Sequence, residues 1–180
     1  WGFIQQDGAF AIEPQFIEAF DFAEGLAAFR VRDPNTEDQR LWRYGYVDRN
    51  GGVVIQPQFD AAFDFSDGLA RVVVDGRRGF IDKAGKFLTE ANFDDVKDFH
   101  EGLAQVKVGD RWGYVDKTGK MVVPPEFTVA GRFSEGLAST SRSGNLLGYI
   151  DRTGAMVIRE QFGVAWAFSN GLARAKIGNG

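Results

Sequence analysis

A chain of 180 residues, 44% hydrophobic and 26% charged, is long enough to bury a core and unlike a disordered segment in composition. The absence of cysteine excludes structural disulfides and thiolate zinc sites, and a net charge of −4 gives no general attraction for phosphate, so nucleic acid is not expected as a partner. No apolar run approaches the roughly 20 residues of a membrane-spanning helix, so no membrane span is expected either.

Taken along the chain, the sequence repeats itself. The glycine of "WGF" recurs at Gly2, Gly45, Gly79, Gly113 and Gly148, in steps of 43, 34, 34 and 35 residues. The glycine of "EGLA" or "DGLA" keeps the same register at Gly25, Gly68, Gly102, Gly136 and Gly171. The repeats are 1–43, 44–77, 78–111, 112–146 and 147–180, the first lengthened by nine residues at "DPNTEDQRL". Trp1 opens inside a repeat without the order of a signal peptide, so the segment is expected to be a piece of a longer protein.

Within a repeat, "WGYVD" predicts a short strand. The turns "DRNG", "DKAG", "DKTG" and "DRTG" follow, with Asp at the first position and Gly at the fourth of a type I turn. An apolar run such as "KMVVP" predicts the next strand. "PQFDAAFDFSDG" and its equivalents then predict a compact linker with one helical turn, because Pro does not suit a central strand. "LAQVKV" and "LARVVV" predict a third strand, joined to the next "WG" strand through Asp75-Gly76 or Gly109-Asp110, dipeptides that favour tight hairpins. Two Phe columns, Phe16, Phe59, Phe93, Phe127 and Phe162, and Phe22, Phe65, Phe99, Phe133 and Phe168, predict a core that neighbouring repeats share.

These phrases resemble the WG-repeat family, also called the WG-containing β-repeat or KWG family. The resemblance rests on "WGYVDKTGKMVVPPEF" and "FSEGLA" in the fourth repeat and on weaker copies over essentially the whole chain. Tyr44, Arg78 and Leu147 depart from the Trp position, "TEANF" replaces the Pro segment in repeat three, and Gln5 replaces the turn Asp in repeat one. The resemblance implies a bacterial repeat module found beside other domains, thought to mediate interactions, and no reaction. The expected fold is all-β: five three-stranded antiparallel meanders with compact linkers, stacked as an open solenoid-like array. A closed five-bladed propeller-like ring is the alternative.

The residues give little chemistry. His100 is the one histidine, and no nucleophile setting surrounds it. The carboxylate columns Asp48, Asp82, Asp116, Asp151 and Glu24, Asp67, Glu101, Glu135 serve every repeat alike, as turn formers would. No calcium loop or phosphate loop is present, so no catalytic residue, metal or cofactor is expected.

Binding is the expectation, with another protein as first partner, a polysaccharide or cell-envelope component as the alternative, and head-to-tail self-association through uncapped ends as a third. The candidate residues are Arg43, Arg77 and Arg111 in one column with Arg78 beside it, Arg40 and Trp42 at the insertion, and Trp166. Trp166 stands where other repeats have Phe20, Phe63, Lys97 and Gly131. Arg49, Lys83, Lys117 and Arg152 form a second column expected to offer separate weak contacts. The insertion itself is expected to contribute more to recognition than any repeated column, because loops on a rigid scaffold gather binding groups.

Overall fold

The computed structural model describes residues 1–32, 41–88 and 92–178, which contain strands and no helix. The chain forms two compact units, Trp1–Asn92 and Phe93–Gly180, and the division falls in the "TEANF" stretch of repeat three.

In the first unit, β1 (Phe3–Ile4) and β2 (Phe10–Ile12) form a two-stranded sheet. A four-stranded sheet follows, made of β3 (Glu18–Ala19), β4 (Leu26–Arg32), β5 (Trp42–Asp48) and β6 (Val53–Phe59). The third is β7 (Ala61–Ser66), β8 (Leu69–Val74) and β9 (Arg77–Asp82). In the second unit, one four-stranded sheet contains β10 (Asp95–Val96), β11 (Leu103–Val108), β12 (Arg111–Asp116) and β13 (Met121–Phe127). The other sheet has five strands: β14 (Val129–Ala130), β15 (Leu137–Ser141), β16 (Leu147–Asp151), β17 (Met156–Ala165) and β18 (Ala175–Ile177). All pairings join neighbours in sequence and are antiparallel. Among the described residues no sheet closes on itself, and within each unit the sheets follow one another in chain order, as in an open stack.

The linker differs from the sequence expectation. Among the described residues it contains no helical turn; instead it supplies a first strand, β3, β7, β10 or β14, to the sheet of the following strand. The physical reason lies in the acidic-Gly pair. Glu24 and Gly25 both have positive φ, 50° and 91°, and Asp67 with Gly68, Glu101 with Gly102, and Glu135 with Gly136 repeat the pattern. Two successive positive φ values make the two-residue turn whose twist matches a hairpin. The bridge pairs Ala23 with Leu26, His100 with Leu103 and Ser134 with Leu137 close it. The linker backbone thereby finds its hydrogen-bond partners in the next strand, as when Ile17 N–H donates to Arg30 O and Lys97 N–H to Gln105 O.

The glycine of the repeated "WG" phrase has a packing cause. A Cβ on Gly2, Gly45, Gly113 or Gly148 would lie 2.4–2.5 Å from the carbonyl oxygen of Ile12, Ile55, Val123 or Ile158, ten residues later. The register shifts at this place in the β5–β6, β12–β13 and β16–β17 pairs bring that carbonyl inward. Only a residue without Cβ fits such an approach.

The next aromatic, a tyrosine in repeats two, four and five, locks those three repeats. Tyr46, Tyr114 and Tyr149 are buried, and their hydroxyls donate to the carbonyls of Phe63, Gly131 and Trp166 at 2.7, 2.7 and 2.8 Å. The same rings meet Phe65, Phe133 and Phe168 edge-on at 4.9, 4.8 and 5.0 Å, a geometry favoured by the ring quadrupoles. Burial raises the phenol pKa of Tyr46 and Tyr114 above the ordinary tyrosine value.

Repeats share their cores. In the first unit Leu26 and Ala28 of repeat one pack with Tyr46, Ile55 and Phe59 of repeat two and Ile81 of repeat three. In the second, Leu103, Tyr114, Phe127 and Ile150 join repeats three, four and five. Of the two Phe columns, Phe16, Phe59, Phe93 and Phe127 and Phe65, Phe99 and Phe133 are buried, whereas Phe22, Phe162 and Phe168 are half-buried.

Candidate interaction surface

The carboxylate columns are consumed by the fold. Asp48, Asp82, Asp116 and Asp151 each accept, on Oδ1, the backbone N–H groups two and four residues later at 2.8–3.1 Å. At Asp116 and Asp151 a threonine hydroxyl, Thr118 or Thr153, donates to the same oxygen at 2.6 Å. That added donor is the largest cause holding both carboxyls below the usual aspartate range.

The glutamates of three hairpin turns reach into the next repeat. Glu24 accepts the Gly68 N–H at 3.0 Å, Glu101 accepts those of Glu135 and Gly136 at 2.7 and 3.0 Å, and Glu135 accepts that of Gly171 at 2.9 Å. A basic side chain two repeats further on completes the clasp. The Lys83 ammonium lies 3.1 Å from the Glu24 carboxylate and donates to its backbone carbonyl at 2.9 Å. Arg152 donates to Glu101 O at 2.7 Å, with its guanidinium 3.9 Å from the carboxylate. Lys83 and Arg152 thus join repeats one and three, and three and five, rather than forming a ladder of free contacts. This explains a glutamate in the left-handed region, where non-glycine residues are uncommon.

The predicted arginines are also engaged within the chain. Arg43 pairs with Asp60 at 2.6 Å, Arg77 donates to Asn92 O at 3.5 Å, and Arg111 donates to Glu126 O and Arg142 O at 3.1 and 2.7 Å. Arg78 lies half-buried in β9 and has a partner of its own. Trp42 opens β5 opposite Arg32, half-buried, with the Arg30 guanidinium 5.1 Å from its ring. Arg40 and insertion residues 33–40 lie outside the described residues. His100 takes part in a hairpin bridge with Leu103. Among the described residues no three His, Cys, Asp or Glu side chains converge as a metal site would require.

What stays exposed is a linker position that is aromatic in three of the five repeats. Phe20, Phe63 and Trp166 are 36%, 40% and 54% exposed. Sequence reasoning singled out Trp166 as irregular and missed Phe20 and Phe63; the available signal was that all three share one column. Guanidinium groups stack on two of these rings from equivalent positions, Arg71 over Phe63 at 4.1 Å and Arg174 over Trp166 at 4.7 Å. Phe20 instead meets Tyr44 at 6.1 Å, itself under the Arg30 guanidinium at 5.9 Å.

Each unit has a groove at this column, between consecutive linkers. In the first, Phe20, Tyr44, Ala61, Ala62, Phe63 and Asp64 enclose about 350 Å³. In the second, Gly131, Arg132, Ser139, Ala165, Trp166 and Ala167 enclose about 450 Å³. The grooves occupy equivalent places in the repeat and differ in chemistry. The first has three aromatic walls and a carboxylate; in the second, Gly131 stands where Phe20 does, Ala167 where Asp64 does, and a guanidinium is added.

A family model described as the WG containing repeat matches residues 1–33, 44–77, 79–112, 112–144 and 148–180. The chain belongs to the WG-repeat family. No curated protein matches this WG-repeat chain. Among solved structures, the crystal structure of HIRA(644-1017) is similar over 81% of this chain and 57% of that one, at 8% identity and a TM-score of 0.44. KlHsv2 with loop 6CD replaced by a Gly-Ser linker is similar over 76% and 49%, at 11% identity and a TM-score of 0.45. The WD40 β-propeller domain of Doa1 is similar over 81% and 68%, at 12% identity and a TM-score of 0.34. The WG-repeat chain therefore spans about half the length of the first two.

Proposed function

We propose that this chain is a non-enzymatic binding module, and that the linker faces of its units, carrying Phe20 and Phe63 in the first and Trp166 in the second, receive a protein partner. The observation that carries the reading is the exposure of three large aromatic rings at one repeat position, beside grooves, on a scaffold whose other aromatic columns are mostly buried or half-buried. Aromatic residues and arginine dominate the binding energy of protein interfaces, because they bury large area at low entropic cost. The recurring carboxylates and several recurring cations act within the chain, which favours these aromatic positions over the charged columns as places where affinity can be built.

A second reading has its own support in the second unit. Trp166 with Arg132 and without a bulky residue at Gly131 offers a flat ring and a cation to an anionic sugar. The two readings separate in one experiment. Phe63→Ala and Trp166→Ala variants, shown to fold, are compared for capture of a partner from the native host, followed by affinity measurement with the identified protein. Loss of affinity by about tenfold or more in either variant supports the protein reading. Unchanged affinity in both removes it, and binding of an acidic polysaccharide lost only in Trp166→Ala favours the second.

A further inference from the structure

We infer that the groove of the second unit receives a carboxylate side chain of the protein partner, held by the Arg132 guanidinium and the Ser139 hydroxyl. The inference rests on the protein-binding reading and gives the chemistry of one contact in that unit.

The groove is an opening made at one repeat. In repeats two and five the linker aromatic carries a guanidinium from the following strand segment, Arg71 over Phe63 at 4.1 Å and Arg174 over Trp166 at 4.7 Å. Repeat four has Gly131 and Ser139 at the two equivalent positions. A ring and a guanidinium are thereby replaced by backbone and one hydroxyl. Gly131 and Ser139 face one another, since a Cβ on Gly131 would lie 2.5 Å from Ser139 Oγ. The space that results is about 450 Å³, with Trp166 of repeat five as its aromatic wall.

Charge and polarity of the opening point to an anion. The residue after the linker aromatic position is Asp21, Asp64 and Asp98 in the first three repeats and Arg132 in the fourth, so the sign of the charge reverses at the groove itself. Arg132 is exposed, and among the described residues its guanidinium has no hydrogen-bond or ion-pair partner. Ser139 is only 8% exposed, lines the groove, and among the described residues its hydroxyl has no hydrogen-bond partner either. A polar group placed so deeply is normally satisfied, and an unmet one costs free energy until an acceptor arrives. The lining contains no carboxylate to supply that acceptor. Arg174 adds positive charge beside the wall, because stacking on Trp166 fixes the guanidinium plane without using its N–H donors. A carboxylate brings acceptors only and makes charge-assisted bonds with both the fork of Arg132 and the hydroxyl of Ser139.

The same lining favours a side chain over a sugar. A uronate also carries a carboxylate, but with it come hydroxyls that need acceptors. The carbonyls here are already engaged: Gly131 O accepts the Tyr114 hydroxyl at 2.7 Å, Trp166 O the Tyr149 hydroxyl at 2.8 Å, and Ser139 O the Gly131 N–H at 2.7 Å. An aspartate or glutamate brings no such donors, and its short apolar stem suits Ala165, Ala167 and the edge of Trp166. The groove of the first unit is an internal control, because Asp64 stands there in the column of Arg132 and sets like charge against the same ligand.

The test is an NMR titration of the 180-residue chain with a short peptide of alternating glutamate and glycine. Parallel titrations use the same peptide with glutamine for glutamate, and trigalacturonate. Shifts are expected at Arg132, Ser139 and Trp166 with Phe20 and Phe63 unmoved, with affinity weaker by about tenfold or more for the glutamine peptide. Trigalacturonate should bind less tightly than the glutamate peptide. Arg132→Gln, at an exposed position, is expected to weaken the glutamate peptide several-fold, and Arg132→Asp, which restores the acid of the first three repeats, to abolish its binding. Ser139→Ala removes only the hydroxyl and should weaken the peptide by about two- to threefold with the melting temperature not lowered. Equal affinity for the glutamine peptide, shifts centred on Phe20 and Phe63, no shift at millimolar peptide, or an unchanged affinity in Arg132→Gln would overturn the site; tighter binding of trigalacturonate would overturn the protein source. If this test fails while Trp166→Ala still loses the captured partner, the protein-binding face stands and only the carboxylate contact is removed.

Discussion

The carboxylate of Glu101 accepts the backbone N–H of Gly136, thirty-five positions later, at 3.0 Å, and thereby fixes the hairpin turn of one repeat to the turn of the next. The turn residue of one repeat is the acceptor for its neighbour, so disruption of one turn is transmitted along the unit.

Glu101→Ala is therefore expected to destabilise the second unit by about 1 to 2 kcal/mol, the scale of losing charge-assisted hydrogen bonds at a partly exposed site. Chemical denaturation read at Trp112 and Trp166 gives the value. Glu101→Gln, which keeps an acceptor, should retain part of it, and a change below about 0.3 kcal/mol in both variants would show that the clasp contributes nothing.

Gly113→Ala is expected to cost more than 2 kcal/mol, beyond the range of ordinary surface substitutions, because the new Cβ would sit 2.5 Å from Val123 O, an atom fixed by the sheet. Gly109→Ala has positive φ, 59°, but nothing within 4 Å of its Cβ, so only conformational strain of about 1 kcal/mol is expected. The order of the two melting temperatures decides between close approach and backbone strain as the cause of the repeated glycine.

The tyrosine lock gives a pH signature. Tyr46 and Tyr114 have folded-state pKa values raised by burial, so their contribution to stability is fully present below the ordinary tyrosine pKa, about 10, and is lost as pH rises beyond it. Ultraviolet titration should show these phenols ionising only as the fold is lost. Tyr114→Phe leaves the Gly131 carbonyl without its buried donor and should cost about 1 to 2 kcal/mol.

The Asp116 turn works in the opposite pH range. Its carboxyl pKa is depressed, chiefly by the Thr118 hydroxyl, so its stabilisation is present above the ordinary aspartate pKa and is lost as pH falls through the lower folded value. Thr118→Val should move the Asp116 carboxyl resonance midpoint upward in an NMR titration. An unmoved midpoint would show that the hydroxyl is not the cause.

The sequence by itself determined the period, the all-β character, the turns and the two Phe columns, because each rests on local chemistry written in every copy: alternation of apolar residues, Asp and Gly at turn positions, and hairpin dipeptides. The strand within the linker was not legible, since Glu24-Gly25 and its copies become a hairpin turn only when the acidic side chain has a neighbouring backbone to accept from. The site divided in the same way. Trp166 could be singled out as a large aromatic in an otherwise variable column, but exposure is a property of packing, and nothing local distinguishes the exposed Phe63 from the buried Phe65 two residues later. The tertiary structure alone decided that Lys83 and Arg152 face carboxylates of their own chain, that Arg111 is tied to two carbonyls, and that Phe20, Tyr44, Phe63 and Asp64 meet at one groove. These are contacts between repeats, set by how the sheets pack, and a pattern of period about 34 states which residues are equivalent without stating which of them touch.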